Sequence, residues 1–336
     1  MIKRTQASGR PESFGNIFNR SLLTTGQQMR MDQSLNKTRA IWAIAMLACG
    51  VVAISLGNVA SAQGEQPVAA KAGESVAPIR ALLISGGCCH DYPRQGIIIS
   101  KGLAQRARIQ VDVVEEGDGK KDHQVSKYNE ANWADGYDVI IHNECFGDVK
   151  DEAFIRKILK AHMEGKPAIF IHCSMHSYRN AGDIADGWRE LIGVTSRRHE
   201  NARPENVVNI MPQHPVMHGF PEKWTTPNGE LYVIEKVWPN CTPLATAFGP
   251  QTKAEHPVIW VNTLGKTKVF GTTLGHHNET MLSEEWLGVV TRGVLWTVDK
   301  LQENGQPLPG YEGSGIVPIE LPGLKPIPEK SLPATR

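Results

Sequence analysis

The chain has 336 residues, 36 Lys and Arg against 35 Asp and Glu, and a net charge of +1. Beyond residue 40 no basic cluster stands out, so nucleic acid is excluded as the expected partner. Hydrophobic residues make up 40% of the chain, which excludes a wholly disordered protein.

Residues 1–40 are polar and basic, and 41–56 form an apolar run preceded by Lys37 and Arg39. Ala60-Ser61-Ala62 then fits the small-x-small cleavage pattern. Residues 1–62 therefore read as a secretory signal peptide with a long n-region, and Gln63 as the mature start. Met29 and Met31 are alternative starts. An uncleaved anchor is the competing reading, but the apolar run is short of the ~20 residues of a span. The expected protein is exported, periplasmic or secreted, with no stable membrane span after cleavage. About 270 residues remain, near the upper limit for one hydrophobic core.

Residues 63–79 read as a linker, 80–303 as one folded domain and 304–336 as a proline-rich tail, wrapped on the domain or disordered. Residues 81–84 form a first strand, ended by Ser85-Gly86-Gly87. A helix is expected over 96–107, a second strand over 110–114, a surface loop over 115–133 and a third strand over 137–141. Asp148 is the expected cap of a helix bearing Phe154, Ile155, Ile158 and Leu159 on one face. Gly165 closes that helix, and Pro167 opens a wholly apolar strand, Ala168-Ile169-Phe170-Ile171, buried on both faces. This alternation predicts an α/β fold with a doubly wound, mostly parallel sheet. After 178 come a short helix (188–192) and strands at 207–210, 231–237, 244–248, 258–261 and 268–272 with few helices between. An antiparallel extension of the sheet explains that pattern. A long amphipathic helix over 284–301 closes the domain.

Histidines collect at strand ends, where doubly wound sheets bind ligands. His90-Asp91 follow the first strand, His172, Cys173 and His176 the central one, and His276-His277 the strand at 268–272. Convergence of three such positions suggests a general base, a metal ligand or a sugar contact. Glu230, in the turn Asn228-Gly229-Glu230, can orient a His or act as acid or base. His214 and His256, each followed by proline, are expected at the surface. Trp188, Trp238, Trp260, Trp286 and Trp296 could floor a sugar site, but most are expected in the core, given their apolar neighbours. Outside the leader the cysteines are 88, 89, 145, 173 and 241, an odd and scattered set that gives no disulfide framework. Cys145 and Cys241 are expected as buried free thiols. Cys173 invites a nucleophile reading, yet no glycine flanks it, as a strained elbow requires.

Taken together these motifs resemble a known family. They run from Gly86-Gly87 and His90-Asp91 through Ile169–Ile171 with His172, then Trp188-Arg189-Glu190-Leu191-Ile192-Gly193 with His199. His214-Pro215-Val216 with Gly219, Asn228-Gly229-Glu230-Leu231-Tyr232 and His256-Pro257-Val258-Ile259-Trp260 follow. Val269-Phe270-Gly271-Thr272-Thr273-Leu274-Gly275-His276 and Gly293-Val294-Leu295-Trp296 complete the series. The chain resembles the ThuA-like (trehalose utilisation) family from about 80 to 300. The resemblance implies a flavodoxin-like fold of the class I glutamine amidotransferase type and a part in trehalose and related sugar catabolism, with activity on oxidised (keto) sugars. It also implies that the strand-end His of the family is His172. Cys173 and Met175 depart from the small residues usual after that His.

The leading expectation is an exported carbohydrate-active hydrolase, lyase or isomerase. His172, Glu230, His276 and His90 would be catalytic, and Asp91, His199, His277, Cys173 and His176 would contact substrate. A divalent metal, zinc by preference, held by His90, His172 and His276 is the candidate cofactor. The expected partners are a small-molecule carbohydrate and, by self-association, a second copy in a homo-oligomer. A non-catalytic sugar-binding module is the first alternative, and a Cys173-dependent amidase the second.

Overall fold

The computed structural model describes residues 76–321 and 323. The expected signal peptide, most of the linker and the end of the tail lie outside them. The strands are β1 (Ile79–Gly87), β2 (Ile109–Glu116), β3 (Val139–Cys145), β4 (Ala168–Ile171), β5 (Val194–His199), β6 (Asn206–Asn209), β7 (Lys223–Thr225), β8 (Tyr232–Val237), β9 (Thr242–Gly249), β10 (Ala254–Leu264) and β11 (Thr267–Thr272). The helices are α1 (Tyr92–Arg106), α2 (Glu152–Met163), α3 (Ile184–Ile192), α4 (Asn278–Met281) and α5 (Glu284–Thr297).

Among the described residues one nine-stranded sheet has the order β2-β1-β3-β4-β11-β10-β9-β6-β7, and β5 with β8 forms a separate ribbon. The first five strands are parallel to one another. Their order follows the 2-1-3-4-5 pattern of flavodoxin-like sheets. From β11 outward every pairing is antiparallel. The predicted parallel sheet and its antiparallel extension are both present.

Side chains alternate across each strand, so β1 serves two cores at once. Ala81 and Leu83 face one cluster with Ile98, Leu103, Val290 and Val294 of α1 and α5. Leu82 and Ile84 face the other with Ile155, Ile158, Trp188 and Leu191 of α2 and α3. Helices on both faces keep the sheet dry, which is why β3 and β4 are buried at every position.

Several boundaries moved. α1 starts at Tyr92, ahead of the expected 96, because Pro93 suits the first helical turn. Asp151 caps α2 by accepting from the Phe154 N–H, whereas Asp148 accepts from Asn180 at 2.7 Å. The expected surface loop 115–133 turns inward, burying Val125, Tyr128 and Trp133. The segment 231–237 was expected in the main sheet but pairs with β5, which carries no alternating apolar signal. His256 is buried by β-pairing, 4% exposed, and binds the Ile234 N–H. The described part of the tail packs on the domain: Arg108 donates to Tyr311 O at 2.8 Å, and Ile319 and Leu321 lie against the core.

The thiol expectation for Cys145 is corrected. Cys145 is disulfide-bonded to Cys173, and Cys88 to Cys89. The ends of β3 and β4 lie side by side, which brings together cysteines 28 apart in sequence. Cys241 is a buried free thiol as expected.

Candidate metal and catalytic site

The carboxyl ends of β1, β4 and β11 deliver His90, His172 and His276 to one point. His172 begins a tight 3-10 turn, His172–His176, and takes the left-handed φ of 42°. A non-glycine residue held there costs of order 1–3 kcal/mol and is typical of active sites. Cys173, one residue on, is tied into its disulfide. The strained strand-end residue is thus the histidine, and no free thiolate stands beside it.

His90 Nε2 lies 3.0 Å from His276 Nδ1, and His172 Nε2 lies 3.1 Å from the same atom. His90 Nδ1 faces Cys88 O and the Tyr92 hydroxyl, both at 3.2 Å. The Tyr92 proton already goes to Cys88 O at 2.9 Å. Both neighbours of His90 Nδ1 therefore accept, and Nδ1 must donate. His172 Nδ1 likewise donates to Thr273 O. With both Nδ1 atoms protonated, neutral His90 and His172 each present a bare Nε2 lone pair to His276. One proton on His276 Nδ1 can serve only one of them. A cation between the three nitrogens satisfies all of them.

The spacing fits. All three nitrogens lie within 4.8 Å of one another. Ligands at ~2.0–2.1 Å from a tetrahedral zinc sit ~3.3 Å apart. The carbonyl-anchored Nδ1 atoms are the outer contacts that orient metal-bound imidazoles. Burial holds His90 and His172 below the ordinary imidazole range, with the neighbouring histidines adding to it for each. Both are therefore neutral and able to ligate.

Glu230 reaches this point from the turn before β8. Its Oε2 lies 3.5 Å from His172 Nε2 and 3.3 Å from His276 Nδ1, and its Oε1 lies 3.2 Å from His199 Nδ1. Burial pushes the carboxyl up, but its close polar contacts with His172 and His276 outweigh this and hold Glu230 well below the usual carboxylate range. His199 Nδ1 also faces Glu200 O at 3.0 Å, so it carries the proton and donates to Glu230. The β5–β8 ribbon aligns His199 with Tyr232. The Tyr232 ring lies 4.5 Å from that of His172 and stacks on His176 at 4.2 Å.

The family model described as trehalose utilisation (ThuA) matches residues 80–297. The chain belongs to the ThuA family. A protein from Parabacteroides merdae described as ThuA-like superposes with a TM-score of 0.55 at 18% identity, covering 66% of this chain and 90% of its own. One from Bacteroides uniformis gives 0.53 at 16% identity, covering 70% and 98%. These likenesses are of fold. No curated protein matches the chain.

Within this ThuA-family domain the other candidate residues spread outward from the centre. Asp91 precedes α1 and is occupied by Arg94 and Asn278, each at 2.9 Å, which turns it toward the loop before α4. His277 packs its ring 4.4 Å from His276, with Nε2 buried and unpartnered. His176 lies beneath Tyr232, its Nε2 3.2 Å from Ser196 Oγ. The structure thus gathers His90, His172, His276, Glu230 and His199, and sets Asp91 and Cys173 aside.

Sequence reasoning missed Tyr92, which fixes His90, and Glu205, which lies behind Gly229 under the Glu230 turn. Tyr92 shares the end of β1 with His90 but has a side chain as common in cores as in sites, and Glu205 precedes β6 rather than following an apolar run. The breadth of the Asn228–Tyr232 motif was the one pointer to Tyr232.

Proposed function

We propose that this ThuA-family protein is an exported, periplasmic or secreted enzyme acting on oxidised (keto) sugars at a centre of His90, His172, His276 and Glu230. The observation that carries the reading is the confrontation of imidazole lone pairs around His276 Nδ1, set by the carbonyl anchors on His90 and His172. Those three histidines would hold a divalent metal of the zinc class, which supplies polarisation of a carbonyl oxygen when bound.

Glu230 is the base. It is ionised, one oxygen faces the centre, and His199 steadies the other. It would take the proton on the carbon next to the sugar carbonyl, where the acidity created by that carbonyl is greatest. Proton abstraction of this kind leads to elimination of a glycosidic substituent or to isomerisation. Simple glycoside hydrolysis fits less well, because it uses two carboxyl groups across the bond. Asp91, the carboxylate next to His90, is engaged by Arg94 and Asn278. The trehalose-utilisation description of the family supports a sugar substrate.

The test is metal analysis of purified protein combined with turnover of an oxidised disaccharide. About one equivalent of divalent metal is expected, with activity lost to a chelator and restored by zinc. Glu230→Gln should keep the metal and lose roughly 100-fold or more in turnover. Metal-free protein indifferent to chelator would refute the metal centre. Full activity in Glu230→Gln would refute the base, and sugar binding without turnover in the native protein would make it a binding module.

A further inference from the structure

Beside the histidines lies a second cluster that the proposed chemistry does not use. Cys88, Cys145 and Cys173 are buried together with Tyr92, at 8%, 6% and 7% exposure. Cys89 is exposed. The four sulfurs form two disulfides, Cys88–Cys89 and Cys145–Cys173. The pairs touch: Cys88 Sγ lies 3.9 Å from Cys145 Sγ.

We propose that the two disulfides form a thiol–disulfide exchange relay, in which the exposed outer pair passes reducing equivalents from an external protein dithiol to the inner pair. Exchange proceeds by attack of a thiolate on a disulfide sulfur, and solvent access selects the first target. Of the four sulfur-bearing residues only Cys89 is exposed.

Each step balances. A donor thiolate attacks Cys89 Sγ, forming a mixed disulfide and releasing Cys88 as thiolate. Cys88 attacks Cys145 across the 3.9 Å contact. The Cys88–Cys145 bond forms, the Cys145–Cys173 bond breaks, and Cys173 leaves as thiolate. The donor's second thiol resolves the mixed disulfide and frees Cys89. Cys89 then attacks Cys88, restoring the outer pair and releasing Cys145. In sum the donor dithiol is oxidised to its disulfide. Two electrons and two protons reach Cys145 and Cys173.

The inner pair is placed to matter. It joins the end of β3 to the turn that carries His172 and His176. Its reduction removes the covalent tie between the strand that ends at Cys145 and the residue following His172.

Two measurements test the relay. In Cys89→Ser, Cys88 has no outer partner and should capture Cys145. Peptide mapping should then find a Cys88–Cys145 cross-link and an alkylatable Cys173. An intact Cys145–Cys173 bond with Cys88 alkylated would overturn the proposal. The second measurement follows alkylation of Cys145 and Cys173 in the native full chain during exposure to dithiothreitol. Labelling should run at least ~10-fold faster than in Cys88→Ser/Cys89→Ser, whose inner pair lacks the relay. Equal rates would also overturn it.

Discussion

Glu205 sits under the turn that presents Glu230, and its ionisation should weaken the fold. It is 1% exposed, both carboxyl oxygens lack a partner, and a Cβ on Gly229 would lie 2.3 Å from its Oε1. Burial pushes its carboxyl up to about 8 from an ordinary 4.5. Below pH 4.5 both folded and unfolded chains are protonated and nothing is lost. Between 4.5 and about 8 the unfolded chain ionises while the folded one does not, so stability falls as pH rises and levels off above about 8. At ~1.4 kcal/mol per pH unit the loss is capped at roughly 5 kcal/mol. Relaxation and water penetration reduce such penalties, so about 2–3 kcal/mol is expected. Glu205→Gln cannot ionise. Urea unfolding at pH 5 and pH 9 should show the variant gaining that amount on the native protein as pH rises. Parallel pH profiles for the two proteins would refute the reasoning.

His172→Asn, which keeps a side chain tolerant of the left-handed backbone, should abolish turnover and weaken zinc binding more than 10-fold in calorimetric titration; retention of either returns His172 to a structural part. Zinc affinity of the native protein should be flat above about pH 6.5 and fall below it, because protons compete for the imidazole nitrogens. Burial lowers His90 and His172, which puts the decline on the acid side of that value, and a rise in affinity on acidification would contradict the site. Gly293→Ala sets a Cβ 2.4 Å from Phe270 Cγ where α5 crosses β11, and such overpacking should cost about 1–3 kcal/mol in thermal or urea unfolding. An unchanged midpoint would show that the Phe270 ring moves aside freely. Expressed from its full sequence in a Gram-negative host, the protein should accumulate in the periplasm starting at or near Gln63, and soluble cytoplasmic protein retaining residues 41–62 would count against export.

The parallel core was legible because its cause is local. Buried strands are continuous apolar runs, and Ala168–Ile171 needs only four residues to declare itself. Strand-end histidines could likewise be marked from sequence, since each falls within a few residues of its apolar run. Their convergence was conditional on strand order, and β4 and β11 proved to be parallel neighbours. The β5–β8 ribbon was hidden because Ser196-Arg197-Arg198 shows no period-2 apolar pattern, and pairing alone makes it a strand.

Composition and order by themselves determined the fold class, the near-neutral net charge, the family and the positions where chemistry was to be sought. Tertiary structure alone decided which of those residues meet. His90 and His276 are 186 residues apart, and their 3.0 Å contact exists only because the sheet closes that distance. The tautomers of His90 and His172 depend on carbonyls at Cys88 and Thr273, which no side-chain pattern encodes. Cys145 and Cys173 were read as separate thiols because neither carries a mark of its partner. Neighbouring strand ends placed their sulfurs in bonding contact. Hydrophobic periodicity is written one residue at a time, but a site of converging polar atoms is a property of distances between segments, and those exist only after the chain has folded.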